Sequence, residues 1–269
     1  MDRFERQRAL FGAEGQDKLA RSRVAVVGLG GLGSIAAMEL AYLGVGDLTF
    51  VDHDRVEVSN RNRLVGAWES RSDGRLKVEI ARELVAAIDP SIPVTVMPLR
   101  FPNDQIEEKL LSCDYVMGCL DRDGARLRLN ALCTSARIPY IDAASDTLRD
   151  GDQLAYGGRV CFVGRGKGCL VCLQVLDPDE VRDELASIEQ KADRDAIYGV
   201  NRELLNEAGP SVISVNGVVA SLAVTELICA VTGLREPFSR LDYHGHRGVV
   251  LKSIDRGDLE CYYCAQQEH

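Results

Sequence analysis

Residues 23–54 read RVAVVGLGGLGSIAAMELAYLGVGDLTFVDHD, and the fold class can be predicted from them. A short apolar run from Val24 to Val27 predicts a buried parallel strand. A glycine turn follows, and then Ser34 to Leu43 carries apolar residues at helical spacing. A second apolar run, Leu48 to Val51, ends at Asp52. A strand, a glycine turn, a helix and a strand with a terminal acid form a βαβ unit that is typical of nucleotide-binding proteins.

Each small or acidic residue of this unit has a physical task. The candidate nucleotide-binding glycines are Gly28, Gly30, Gly31 and Gly33. Gly28 and Gly30 allow a tight turn and a close approach to a phosphate, and Gly33 lets the helix pack against the strand. Free N–H groups at the helix amino terminus attract an anion. Asp52 lies where a carboxylate can accept hydrogen bonds from ribose hydroxyls, so the unit predicts a nucleotide without specifying which one.

Composition excludes several classes of protein. The chain has 269 residues, of which 46% are hydrophobic and 27% charged, as in ordinary globular proteins. Its 32 basic and 41 acidic residues give a net charge of −9, which makes nucleic acid an unlikely partner. The amino-terminal segment lacks the apolar core of a secretory signal, and the apolar stretch 211–233 is interrupted by Asn216, Thr225 and Glu226. Nine cysteines favour reduced thiols, so we expect a soluble, cytoplasmic protein with no membrane segment.

Strands and helices alternate along the first 150 residues. After an amino-terminal helix over 2–20 and the βαβ unit, the pattern predicts helices over 73–88, 103–112 and 122–137 and strands over 92–97, 114–121 and 138–143. Short extended runs follow at 153–163, 239–244 and 248–253, the first of them antiparallel. The predicted fold class is therefore α/β, with a doubly wound, mostly parallel Rossmann-like sheet extended by antiparallel strands. Asp52 and Asp121 would both lie at its carboxyl edge.

The polar segment after Asp54 carries candidate phosphate ligands. Asn60, Arg61 and Arg63 are placed to reach a triphosphate that lies across the glycine turn. Lys77 is in the first turn of a predicted helix, where the helix dipole favours acids over bases. That mismatch indicates a ligand role, although a single lysine on a helix is more often simply solvated.

Two Cys-x-x-Cys pairs predict a metal site. Cys169 and Cys172 are separated from Cys261 and Cys264 by 88 residues, and four thiolates in a reduced protein are typical of structural zinc. The alternative is that one pair is fortuitous or redox-active. Residues 173–210, between the pairs, are long, charged and poorly periodic, as functional or disordered loops are.

Together these features resemble the ubiquitin-activating-enzyme-like superfamily of adenylating enzymes, the ThiF/MoeB/HesA group. The resemblance covers most of the chain. It rests on RFERQ at 3–7, GLGGLG at 28–33, Asp52-x-Asp54, Ser59-Asn60 with Arg63, Lys77, Asp121 and the two cysteine pairs. This ordered set is far more specific than any glycine turn.

The resemblance implies a reaction and a role for each matched residue. ATP would adenylate the C-terminal carboxylate of a small ubiquitin-like or sulfur-carrier protein, giving an acyl-adenylate and pyrophosphate. Asp52 would hold the ribose, Asn60, Arg63 and Lys77 the triphosphate, and Asp121 a Mg²⁺ ion, with Asp54 also at the nucleotide site. Arg6 would reach the active site of the partner subunit of a homodimer. We expect one adenylation domain over 1–269, with ATP bound by 1–150, carrier and zinc by 151–269, and a crossover loop at about 173–210 covering the carrier tail.

Departures from the family pattern leave one step open. Members that go on to a covalent intermediate usually have a cysteine in or just after the crossover loop, but residues 173–228 contain none. Cys229 lies deep in an apolar stretch, so the reaction is expected to stop at the adenylate. The alternative is an oxyester on Ser211 or Ser214, although serines there more often cap a helix. Arg61 and Leu64 also stand where the family usually has an apolar residue and a glutamine.

Three other interpretations share parts of this sequence pattern. An NAD(P)-dependent oxidoreductase shares the glycine turn and Asp52, but it does not explain Lys77, Asn60 to Arg63 or the cysteine pairs. A non-catalytic scaffold would not need to retain the charged positions. Within the family, the acid substrate could be a peptide or a modified tRNA base instead of a carrier protein, and the acidic charge of the chain disfavours tRNA.

Overall fold

The computed structural model describes residues 2–68, 70–150, 153–185, 211–253 and 260–265. The strands are β1 Arg23–Val27, β2 Asp47–Val51, β3 Val94–Met97, β4 Tyr115–Gly118, β5 Tyr140–Asp150, β6 Gln153–Val163, β7 Arg240–His244 and β8 Val249–Lys252. The helices are α1 Glu5–Arg21, α2 Gly31–Leu43, α3 Lys77–Ile88, α4 Asp104–Leu110, α5 Asp123–Ser135, α6 Pro178–Leu185 and α7 Ile213–Thr232.

One eight-stranded sheet organises the chain. Its order is β3-β2-β1-β4-β5-β6-β7-β8. The first five strands are parallel, and β6, β7 and β8 are added in antiparallel fashion. Val27 pairs with both Val51 and Gly118, so β1, β2 and β4 end at the same edge. The expected doubly wound sheet with antiparallel additions is confirmed.

The two faces of the sheet bury different cores. On one face, α2 and α7 pack on side chains that include Ile141, Val160 and Phe162. On the other face, residues of α4, α5 and the first cysteine pair pack on Tyr140 and Cys161. Alternation along β5 and β6 sends neighbouring side chains to opposite faces, so both strands are covered on both sides.

A third, smaller core lies beside α3. It consists of Val56, Leu64, Ala67 and Ile80. Trp68, the only tryptophan of the chain, follows directly and is 69% exposed. This small core fixes the polar segment that carries the candidate phosphate ligands.

The longest apolar helix belongs to the protein core. By length and composition alone, α7 could cross a membrane, but half of its apolar stretch is buried inside the protein. Its Glu226 is 1% exposed and accepts hydrogen bonds from Arg235 and from the N–H of Phe238. The expectation of a buried helix agrees with this packing.

Some element boundaries differ from the sequence-based expectations. Strand β5 continues well past Ala143 because β6 pairs with it along its whole length. The segment 173–210 contains α6, which starts after Asp177, whose carboxylate accepts the N–H of Asp179 at 2.8 Å. An N-cap aspartate followed by proline is a helix-start signal, so a loop was the wrong prediction for residues 178–185. The rest of the predicted crossover loop, 186–210, lies outside the described residues.

Candidate functional site

A cavity of about 930 Å³ opens at the carboxyl edge of the parallel strands. Its walls include Gly28 and Gly30 after β1, Asp52 and Asp54 after β2, and Asp121 after β4. The chain crosses from one half of the sheet to the other between β1 and β4. Ligands of doubly wound sheets bind at such switch points, so this cavity is the candidate functional site.

A side chain would clash with the backbone at two glycines of the turn, whereas a third glycine faces open space. Gly28 has φ +92°, and a Cβ there would lie 2.5 Å from the carbonyl oxygen of Cys119. A Cβ on Gly33 would lie 1.8 Å from the carbonyl oxygen of Gly28, which gives the close helix–strand packing that was expected. A Cβ on Gly30, by contrast, would meet nothing within 4 Å, because Gly30 faces the cavity. The turn therefore leaves an open cradle at the amino terminus of α2, as a bound phosphate requires.

Asp52 ties the glycine turn to the end of β2. Its carboxylate accepts the N–H of Leu29 at 2.7 Å and the N–H of Asp54 at 2.8 Å. The side chain is buried, and this burial raises the pKa of Asp52, while the charge of Lys77 opposes the rise. The carboxylate lies on the cavity wall where ribose binding was predicted.

Lys77 begins α3 and is 9% exposed. Its ammonium donates to Asp54 at 2.8 Å. Partial burial acts to raise the pKa of Asp54, but the hydrogen bond and charge of Lys77 outweigh it and bring the pKa below its ordinary value. Asp52, His53 and Asp54 place ligand atoms within 4.8 Å of one another, yet the neighbouring ammonium disfavours a metal cation among them.

The polar segment brings only one of its three candidates to the cavity. Arg63 lines it beside the amino terminus of α2, with its Cδ 3.3 Å from the position of a Cβ on Gly31. Asn60 instead accepts the N–H of Glu57 at 3.1 Å in a short 3-10 turn, and Arg61 pairs with Asp73. Neither is among the residues that line the described cavity, so phosphate binding by Asn60 stays a prediction.

Asp121 and Arg6 lie in different places. Asp121 is exposed on the cavity wall three residues after the end of β4, as its predicted role beside the phosphates requires. Arg6 is exposed on α1 and is not among the described cavity residues. A role for Arg6 at an active site would therefore need a second subunit.

A buried charge network, missed in the sequence, lies at the cavity wall. Arg126 is 2% exposed and binds Asp142 with two nitrogens and Asp123 with a third at 2.6 Å. The hydroxyl of Tyr140 donates to Asp142 at 2.7 Å. Burial opposes the charge of Arg126, yet the adjacent carboxylates raise its pKa above the ordinary range. The signal was available, because Arg126 shares one helix face with the buried Leu129 and Asp142 interrupts an apolar strand.

Helix α6 contributes a carboxylate to the same wall. Glu184 accepts the N–H groups of Gly124 and Ala125 at 2.8 and 3.3 Å and pairs with Arg122 at 2.7 Å. It thereby caps the amino terminus of α5. Asp123 accepts the N–H of Asp177, so α5 and α6 are joined at two points.

The four candidate metal ligands converge. The sulfur of Cys169 lies 3.8 Å from that of Cys172 and 3.7 Å from that of Cys261, and the sulfurs of Cys172 and Cys264 are 3.3 Å apart. These are not disulfide distances. A tetrahedral zinc with bonds of about 2.3 Å needs sulfurs about 3.8 Å apart, so the cluster fits zinc. Burial raises the pKa of Cys169 to about 11, and a bound cation would reverse that effect.

A glycine cradle, a strand-end acid and a buried lysine at the switch point of a doubly wound sheet define a nucleotide-binding α/β protein. The sequence profile of the ThiF family matches residues 4–267. The chain therefore belongs to the ThiF family, and the predicted membership of the ThiF/MoeB/HesA superfamily is confirmed.

The chain is similar in sequence to several bacterial adenylyltransferases. The molybdopterin-synthase adenylyltransferase of Salmonella typhimurium (strain LT2) is 41% identical over 147 residues, which are 54% of this chain and 59% of that protein. The Escherichia coli (strain K12) molybdopterin-synthase adenylyltransferase is 32% identical over 89% of this chain and 85% of its own length. The sulfur carrier protein ThiS adenylyltransferase of the same organism is 28% identical, over 94% of this chain and 90% of its own length.

Solved structures agree on the fold. The crystal structure of E. coli MccB with MccA-N7isoASN superimposes with a TM-score of 0.78, covering 98% of this chain and 75% of that one at 20% identity. E. coli MccB with ATP has a TM-score of 0.75 at the same identity. At this identity the likeness concerns the fold alone. None of these relatives supports the oxidoreductase alternative.

Proposed function

We propose that this chain is an ATP-dependent adenylyltransferase that activates the C-terminal carboxylate of a small ubiquitin-like or sulfur-carrier protein. The products are an acyl-adenylate and pyrophosphate. One observation carries the proposal: in a ThiF-family chain, the glycine cradle, Asp52, Lys77, Arg63 and Asp121 line a single cavity at the switch point. The whole of 1–269 would act as one adenylation domain, in which 1–150 bind ATP and 151–269 bind the carrier and zinc.

Different residues of the cavity would bind different parts of ATP. Asp52 would accept hydrogen bonds from the ribose, which lies on the β2 side. The open cradle at Gly30 and the amino terminus of α2 would hold phosphate oxygens. Lys77 and Arg63 would neutralise the triphosphate, with Lys77 leaving Asp54 or bridging to it.

The reaction needs positioned charges more than a general base. A C-terminal carboxylate, with an ordinary pKa of about 3.3–3.7, is already ionised at neutral pH. One of its oxygens attacks the α-phosphorus, and the bond from that phosphorus to the bridging oxygen breaks as pyrophosphate leaves. Cations held in place before the reaction stabilise the charge that spreads over the phosphate oxygens. Asp121 would hold Mg²⁺, which supplies further positive charge to these oxygens.

We propose that the chemistry of this chain stops at the adenylate. Cys119 is the cysteine that lines the described cavity, and burial raises the pKa of its thiol to about 12, so it stays protonated at neutral pH. Ser211 also lines the cavity, but its Oγ accepts a hydrogen bond from the amide of Asn216 at 3.1 Å. No carboxylate or imidazole among the described residues is hydrogen-bonded to that Oγ to activate it for an oxyester.

Pyrophosphate exchange tests the proposal. ThiS of E. coli, the carrier named for one relative, is a suitable first probe, followed by small carriers from the same genome as this chain. We expect carrier-dependent exchange of labelled pyrophosphate into ATP by the wild type, and loss of exchange in Lys77→Ala and Asp121→Ala.

Thermal shift supplies the control that needs no carrier. Mg-ATP at a hundredfold excess over its dissociation constant should stabilise the wild type by about 2.7 kcal/mol, and the two variants by less. If NAD(H) stabilises the protein and Mg-ATP does not, adenylation is excluded.

A further inference from the structure

The cavity is lined by six lysine and arginine side chains, and only some of them have acidic partners. Lys77 pairs with Asp54, Arg122 with Glu184, and Arg126 with Asp123 and Asp142. The other three, Arg63, Arg100 and Arg159, form no ion pair with any residue that the structure describes. Cations without a carboxylate partner are available to an anionic ligand.

These three arginines stand on different sides of the cavity. Arg63 lies by the amino terminus of α2, and Arg100 follows β3 close enough to Asp54 to lower its pKa. Both are therefore on the side assigned to the nucleotide. Arg159 lies on β6, opposite Ala144 of β5, and two strands away from β4. Two strand spacings amount to about 10 Å.

The geometry of the sheet leaves that far side for the second substrate. The ribose site at Asp52 and the phosphate cradle at Gly30 occupy the β2 and β1 ends of the cavity. An acid that attacks the α-phosphorus must approach over β4, β5 and β6. Apart from the paired arginines, this part of the wall is acidic, with Asp121, Asp146, Asp177 and Glu180. A carboxylate would be repelled there unless a free cation received it.

Arg159 has unused hydrogen-bonding capacity. One terminal nitrogen donates to the carbonyl oxygen of Val175 at 2.7 Å, which holds the guanidinium in place. Its Nε is buried and has no hydrogen-bond partner. A buried N–H without a partner is costly, and a shift of the guanidinium that lets a carboxylate in the cavity accept from this Nε removes that cost.

We propose that Arg159 binds a carboxylate of the acid substrate. This inference rests on the proposed adenylation and adds to it a residue that selects the substrate. The carboxylate has two sources in an extended C-terminal tail: the reacting terminal group, or an acidic side chain upstream. At about 3.3 Å per residue, a span of 10 Å corresponds to a side chain about three residues before the end.

Four labelled heptapeptides distinguish these sources by fluorescence anisotropy in the presence of Mg-ATP. They share one sequence ending in glycine, with a free or an amidated terminus and with Glu or Gln at the third position from the end. We expect Arg159→Met to weaken, by about tenfold or more, the binding of those peptides that carry the recognised carboxylate, through the loss of a charge-assisted hydrogen bond. The amidated Gln peptide should bind wild type and variant equally. Loss confined to free termini identifies the reacting carboxylate, and loss confined to Glu peptides identifies the side chain.

Arg240→Met is the matched control. Arg240 lies on β7 opposite Cys161, while the residue opposite Arg159 is Asp242, with which Arg240 pairs at 2.9 Å. Arg240 also donates to the carbonyl of Leu173 at 3.2 Å, but it does not line the described cavity. It should lower the melting temperature without changing peptide selectivity. The proposal is overturned if Arg159→Met weakens none of the four peptides or all four equally, if Arg240→Met reproduces its selectivity, or if the wild type binds none of them.

The nucleotide provides the separate test of the proposed function. Mg-ATP should raise the melting temperature of Arg159→Met as much as that of the wild type. Stabilisation by Mg-ATP without any carboxylate preference rejects the role of Arg159 alone. Absence of stabilisation in the wild type rejects the adenylation on which it rests.

Discussion

At the scale of single residues, two glycines of the same turn make opposite predictions. A Cβ on Gly30 points into open cavity, and Gly30 has φ −73°, so alanine fits there without strain. We expect Gly30→Ala to keep the melting temperature and to lose much of the stabilisation by Mg-ATP, because the methyl group fills the phosphate cradle.

Gly33→Ala should destabilise the fold by about 1–3 kcal/mol or more, since its Cβ would overlap the carbonyl of Gly28. Thermal melts with and without Mg-ATP check both, and unchanged ATP stabilisation of Gly30→Ala would place the phosphates elsewhere.

Two variants of the buried network around Arg126 distinguish the contribution of charge to stability from that of a single hydrogen bond. Asp142→Asn removes one of two carboxylates that face a guanidinium with a 3% exposed side chain. Breaking a buried ion pair costs about 3–5 kcal/mol, so we expect a large loss of unfolding free energy. Tyr140→Phe removes a single hydrogen bond to the same carboxylate and should cost about 1–3 kcal/mol. Urea unfolding measures both, and equal losses would show that the network does not depend on charge.

Local patterns predicted some of these residues and could not predict others. Asp52 and Lys77 could be found because each breaks a local rule: an acid ends an apolar strand, and a lysine opens a helix. Arg159 shows no such signal, since its position at the cavity depends on β6 pairing with β5 and on the carbonyl of Val175. Asn60 was chosen from a motif, while the structure uses its side chain to cap a short turn.

At the scale of elements, Glu184 provides one of the two points at which α6 is joined to α5. Glu184→Ala removes the acceptor of two N–H groups of α5 and the partner of Arg122. Loss of such a cap costs about 0.5–2 kcal/mol. Glu180→Ala, one turn earlier in α6, is the control. Burial and nearby acids raise the pKa of Glu180, so its removal should be neutral or stabilising. Urea unfolding that found the two variants equally destabilised would contradict the cap.

The cysteine cluster predicts one zinc ion per chain. We expect Cys261→Ser to abolish zinc binding and to lower the unfolding free energy by about 3 kcal/mol or more, since structural zinc sites bind with about 10 kcal/mol. A chelator should have the same effect on the wild type. Cys133→Ser, in the core but outside the cluster, should keep the zinc. Elemental analysis and thermal melts decide, and a metal-free wild type whose stability survives Cys261→Ser would reject the site.

Elements with local signals were predicted well. The βαβ unit followed from its apolar periods and glycines, and the pairing of two distant cysteine pairs followed from thiolate chemistry. The length of β5 could not be predicted, because residues beyond Ala143 are held in the strand by β6 and not by their own propensity. Helix α6 was not predicted, because the high charge of the surrounding segment indicated a loop. The sequence Asp177-Pro178 nevertheless contains a helix-start signal, an N-cap aspartate followed by proline.

At the scale of the whole molecule, the family resemblance implies a homodimer in which Arg6, exposed on α1, reaches the site of the partner subunit. If Arg6 completes the site of the partner subunit, a mixture of Arg6→Ala and Lys77→Ala chains regains activity. A heterodimer then has one intact site, and random pairing should restore roughly one quarter of the wild-type rate. Pyrophosphate exchange on refolded or co-expressed mixtures measures this. Each variant alone serves as the control, and no recovery in a mixture shown to be dimeric would exclude a role in trans.

The exposed position of Trp68 determines what tryptophan fluorescence can report about this molecule. Its indole already contacts water in the native protein, so its emission should shift little when the whole chain unfolds. Trp68 directly follows the small core that contains Leu64, the residue after Arg63, so binding of a triphosphate by Arg63 should change the brightness or polarisation of its emission. The only tryptophan is therefore expected to be a poor indicator of global unfolding, and its response to Mg-ATP tests whether Arg63 binds the nucleotide.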